Sequence, residues 1–129
     1  MCSTLAELIE EITEIPPDKL FILSECSQTL KKVFYKEGKD KFLLFIDKEP
    51  VFVEDLKFVS VFLAGLIELL CEIGQSPIPN WIEKDSYYLD KKFSSISGYN
   101  KEIPKPLLYS TLCCFAKRNY YTNEKGVLV

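Results

Sequence analysis

The sequence predicts an all-α fold: a helical bundle with one buried central helix and an irregular proline- and aromatic-rich segment before its C-terminal helix. Three observations predict it. Apolar residues recur at helical spacing near both ends of the chain. Residues 54–73 are apolar on most faces, as in a helix surrounded by others. Between these, Ser76-Pro77-Ile78-Pro79-Asn80-Trp81 interrupts the pattern with two prolines and the chain's only tryptophan.

Residues 4–15 form the first expected helix, with Leu5, Leu8, Ile9, Ile12 and Ile15 on one stripe. Thr4 and Glu7 have the spacing of a capping box. Pro16 and Pro17 end this helix, because proline lacks an amide and biases its predecessor away from helix. A second helix runs from Pro17 or Asp18 to Lys36, burying Leu20, Leu23, Cys26, Leu30, Val33 and Phe34, with Gly38 as terminator.

The run Phe42–Ile46 fits a buried strand or a short helix, and a short helix ending before Pro50 is favoured. Glu54–Ile73 is the central helix; Gly65 marks a close crossing and Gly74 stops it. A short turn or helix is expected at Trp81–Lys84, and Ser94–Gly98 reads as a loop. A last helix runs over about Pro106–Lys117, with Leu107, Leu108, Leu112 and Phe115 inward. Thr122–Gly126 reads as a turn.

The 129 residues fit a single domain, 1–129, large enough to bury a core without a metal or disulfide staple. The net charge is −3. It divides unevenly: residues 1–79 hold 8 basic and 14 acidic side chains, residues 80–129 hold 8 and 5. That balance does not favour nucleic acid as a partner. Five cysteines without a CxxC pair suit a reducing compartment. The longest apolar stretch is too short to span a bilayer, and no signal peptide is visible. A cytoplasmic protein without membrane attachment is therefore expected.

The chain has no histidine. This removes the commonest general base and metal ligand. Its five glycines lie far apart, so no phosphate-binding loop is expected. No catalytic residue, cofactor or metal is assigned. Glu68 and Glu72 share a helix face and read as a solvated edge. The basic pairs Lys31-Lys32, Lys91-Lys92 and Lys117-Arg118 adjoin aromatics, a weak signal for single-stranded nucleic acid.

Arg118 is the only arginine among sixteen basic residues. Its guanidinium can hold a carboxylate or several carbonyls at once. It is expected to end a helix and to bind acceptors in 81–93, with Asn119 in the left-handed turn that follows. Trp81 is expected to be buried on the central helix near Leu66, Leu70 or Ile73, and against Phe115. Trp81, Tyr88, Phe115, Arg118 and Asn119 are the candidate interaction residues or structural anchors.

The motifs Pro77-Ile78-Pro79-Asn80-Trp81, Tyr88-Leu89, Phe93 and Phe115-Ala116-Lys117-Arg118-Asn119-Tyr120 resemble a poorly characterised group of small bacterial proteins. Those proteins share a Pro-x-Pro-x-Trp turn and a Phe-x-x-Arg-Asn stretch, some in toxin–antitoxin-like settings. The resemblance covers residues 54–122 and brings no activity with it. It implies a bacterial, antitoxin-like or regulatory protein. The lack of a helix-turn-helix pattern argues against direct promoter binding.

The expectation is therefore a non-enzymatic protein-interaction or regulatory module, with a toxin-like protein as its partner and a homo-oligomer left open. The alternatives are a small-ligand binder or histidine-free enzyme using Glu68, Glu72, the tyrosines and Arg118, and a binder of single-stranded nucleic acid.

Overall fold

The computed structural model describes residues 3–13, 19–52, 57–94 and 111–122, and it is mostly helical. Helix α1 spans Leu5–Thr13 and α2 spans Lys19–Lys32. A π-helical turn, Val33–Glu37, continues α2. Helix α3 spans Lys39–Ile46, and the central α4 spans Lys57–Ile73. Two 3₁₀ turns follow, Asn80–Glu83 and Asp85–Tyr87. Strand β1 (Phe93–Ser94) pairs in parallel with β2 (Tyr120–Tyr121), and one turn of helix, α5 (Cys113–Ala116), lies just before β2. The expected Pro16-Pro17 corner, the loop after Ser94 and the turn after Thr122 lie outside the described residues.

The cap of α1 differs slightly from the pattern read in the sequence. Thr4 Oγ1 accepts from the Glu7 amide at 3.2 Å, as a helix cap should. The Glu7 carboxylate reaches back one residue further, to the amide and hydroxyl of Ser3. Both ends of the reciprocal cap are thus satisfied, with the box shared between Ser3 and Thr4.

The apolar run Phe42–Ile46 belongs to α3, so it is helical. Phe42, Phe45 and Ile46 enter the core, while Leu44 is 70% exposed. The second helix also closes differently from its expected uniform path to Lys36: its last turn widens to π geometry. Gly38 follows at φ +96°, which disfavours any side chain. The half-buried Phe34 meets Phe42 edge-on within this turn.

In α4 every residue from Val59 to Cys71 is buried. It packs against α2, the second 3₁₀ turn, α5 and β2. Gly65 does mark a close crossing: a Cβ there would sit 2.6 Å from Phe115 Cδ1. Gly74 follows the helix end, but the left-handed residue is Gln75, at φ +52°. Gly74 instead admits the Phe34 ring, whose Cε1 would lie 3.0 Å from an added Cβ.

The C-terminal helix is shorter than expected. Leu112 is extended and α5 begins at Cys113; residues 106–110 lie outside the described residues. Thr111 diverts the chain from helix, because its hydroxyl donates to the Thr122 carbonyl and accepts from the Thr122 amide. Among the described residues, no helix is long and apolar enough to cross a membrane.

Gly65→Ala should destabilise the protein by about 1–3 kcal/mol, the usual scale of overpacking. Combining it with Phe115→Leu should recover part of the loss. Urea denaturation of the two variants checks both expectations.

Candidate functional site

Arg118 is wholly buried beside the end of α5. Its Nη1 donates to the carbonyls of Ile82 at 2.8 Å and Tyr87 at 3.1 Å. Its Nη2 donates to Glu68 Oε1 at 2.8 Å. The Tyr88 ring lies against the guanidinium, 4.6 Å from carbon to centroid, adding a cation–π contact. Among the described residues, Nε is buried without a hydrogen-bond partner. The acceptors expected in 81–93 are these two carbonyls, and the Glu68 carboxylate, from α4, joins them.

Glu68 corrects the sequence reading. It was expected on a solvated edge with Glu72, but only Glu72 is exposed; Glu68 is 4% exposed. Its Oε1 is shared by Arg118 and by Lys117 Nζ, also at 2.8 Å. The half-exposed Glu83 lies 3.9–4.0 Å from both cations and accepts from the Tyr88 hydroxyl. Burial disfavours the Lys117 cation, yet its bond to Glu68 and the nearby carboxylates raise its pKa overall. A buried carboxylate at this position is tolerable because two cations neutralise it.

Asn119 occupies the left-handed turn, at φ +64°. Its side-chain amide donates to the Leu89 carbonyl at 2.7 Å, while the Leu89 amide donates to the Arg118 carbonyl. The Asn119 carbonyl then accepts from Phe93, which starts the β1–β2 pairing. Phe115 is fully buried, its ring 5.2 Å from Phe62.

Trp81 is buried, as expected, in the same core as Leu66, Leu70 and Phe115. Its indole N–H donates to the Ile46 carbonyl at 3.0 Å and its ring meets Tyr87. Ile73, one expected neighbour, is 48% exposed. The bond makes physical sense: carbonyls at the end of α3 lack intrahelical donors. Tyr87 reinforces this junction through its hydroxyl bond to Glu49, which also pairs with Lys84. Burial favours the protonated form of Glu49, but the bonds from Lys84 and Tyr87 win and lower its pKa.

Four of the five candidates therefore meet around 80–89: Trp81, Tyr88, Arg118 and Asn119. Phe115, on α5, lies one layer deeper, against Gly65 of α4. The cluster does not open onto the neighbouring cleft of about 540 Å³, whose lining includes Glu49, Phe52, Lys57, Ser86 and Tyr87 but neither Glu68 nor Arg118.

A second concavity, of about 590 Å³, went unnoticed in the sequence. It lies among α1, the α2–π junction and α3, with Leu8, Val33, Leu44 and Phe45 as its apolar lining. Glu11, Lys32, Glu37 and Lys41 also line it. No local signal identifies such a groove, because three separate helices create it. No protein-family model, curated protein or solved structure matches the chain.

Arg118→Lys keeps the charge but loses the fork and should destabilise the protein by about 1–3 kcal/mol. Glu68→Ala should lose more, about 3–5 kcal/mol, because it deprives a buried arginine of its carboxylate. Denaturant titrations test both; an Arg118→Lys midpoint equal to the wild type would exclude the anchoring role.

Burial also raises three thiols, Cys26 and Cys114 to about 12 and Cys71 to about 11. Unfolded thiols ionise near ~8.5, so the folded state binds more protons above that value. This stabilisation is complete below ~8.5 and is lost as pH rises through the raised values. Calorimetry under reducing conditions should show the thermal midpoint falling above about pH 8.5. At neutral pH a thiol reagent should modify exposed Cys113 rapidly and these three only on unfolding.

Proposed function

We propose that the chain is a non-enzymatic protein-interaction module with a regulatory, antitoxin-like role. The observation that carries the interaction reading is the groove rimmed by Leu44. A large aliphatic side chain, 70% exposed beside an apolar floor and surrounded by charged groups, has the makeup of a protein-recognition surface. The π turn supports the same choice, since such turns recur at functional positions and this one forms part of the wall. The antitoxin-like role rests on the resemblance carried by Pro77–Trp81 and Phe115–Asn119.

The buried cluster fits this division of labour. Arg118 and Glu68 are bonded to each other and to the fold, so they act as anchors that leave recognition to other surfaces. The ligand-binding and nucleic-acid readings both draw on Arg118 and gain nothing from a guanidinium closed off in this way.

A photo-crosslinking residue at position 44 should yield a protein adduct in cells, and competition by the unlabelled chain should suppress it. Unlabelled Leu44→Glu should compete poorly. Adducts to nucleic acid alone, or equal competition by both chains, would refute the reading.

A further inference from the structure

We propose that the groove's occupant is a second copy of this chain, in a two-fold dimer where Leu44 of each protomer enters the groove of the other. The proposal rests on the interaction reading above and names the partner. Leu44 is a protruding side chain on the rim of a depression lined by Leu8, Val33 and Phe45. A projection beside a matching hollow on one surface is what an isologous interface requires, because a two-fold axis makes each contact twice.

The charges fit the same pairing. On α3, Lys41 and Leu44 are three residues apart and share a face. On α1, Leu8 and Glu11 have the same spacing. If α3 of one protomer lies antiparallel to α1 of its partner, Leu44 meets the partner's Leu8 and Lys41 meets the partner's Glu11. Both steps rise about 4.5 Å along their helices, so the pairs stay in register.

Electrostatic balance selects this patch over its surroundings. Residues 1–79 carry 8 basic and 14 acidic groups, so two copies repel through most of that half. The groove is lined by two lysines and two glutamates. A strongly basic partner would be drawn to the acidic remainder, whereas a second copy presents the matching mixture.

Sedimentation equilibrium of the full chain over a concentration series tests the proposal. The wild type should move from monomer towards twice that mass. Leu44→Glu should stay monomeric, with unchanged circular dichroism and with the thermal midpoint that the wild type shows when dilute enough to be monomeric, because the side chain it replaces is exposed in the protomer. Lys41→Glu should weaken association by about tenfold or more, the loss of ~1.4 kcal/mol of pairing. Adding Glu11→Lys should restore most of it, which a merely structural effect of either change would not do.

A wild type that remains monomeric throughout, a dimer that survives Leu44→Glu, or a charge exchange that restores nothing would overturn the proposal. A monomer whose position-44 adduct is a different protein would also overturn it, while leaving the interaction reading intact. A monomer that gives no protein adduct would sink both.

Discussion

A single buried guanidinium sets the terms for the C-terminal half of this fold. An arginine stays charged at any ordinary pH, so once Arg118 is enclosed the surrounding chain must supply acceptors. Glu68 supplies one from the middle of the most apolar helix, and Ile82 and Tyr87 supply two backbone carbonyls. The irregular path of 80–89 follows from that need. A continuous α-helix would spend its interior carbonyls within itself. Two short 3₁₀ turns leave carbonyls free to face the arginine.

The same segment joins parts of the chain that would otherwise share little beyond α4. Trp81 and Tyr87 tie it to the end of α3 through Ile46 and Glu49. Lys57 bonds to the Ser86 carbonyl from the first turn of α4. Asn119 and the Arg118 carbonyl engage Leu89. Such polar links add less net stability than the apolar core, but they are directional. They fix which irregular conformation the proline-rich stretch adopts, a choice that hydrophobic burial alone would leave open.

Helical periodicity made α1, α2 and α4 legible, whereas the apolar run Phe42–Ile46 fitted a buried strand as well as the short helix found there. The uniqueness of Arg118 was a sound pointer because ordinary surface charge does not demand a fork. Its carboxylate partner was hidden for a physical reason. Glu68 and Glu72 look like a solvated pair in sequence, yet α5 covers α4 beside the first and leaves the second exposed. Leu112 and Phe115 suggested a longer last helix, but Thr111 binds the backbone of Thr122 and the extended Leu112 follows it. Nothing in the sequence singles out Leu44; its exposure depends on the rotation of α3 about its own axis, which a five-residue apolar run does not specify.

The distance along the chain between Glu68 and Arg118 has a consequence during synthesis. The two are 50 residues apart. At ribosomal speeds of about 5–20 residues per second, the arginine is made roughly 3–10 s after the glutamate. For that interval the apolar α4 segment carries an acid whose permanent counter-charge does not yet exist, and Gly65 waits for the ring of Phe115. The nascent chain therefore cannot close its central helix in the order in which it emerges. The helices before α4 can gather on one side of it, but the other side stays open to solvent, to chaperones and to neighbouring nascent chains until Phe115 and Arg118 arrive.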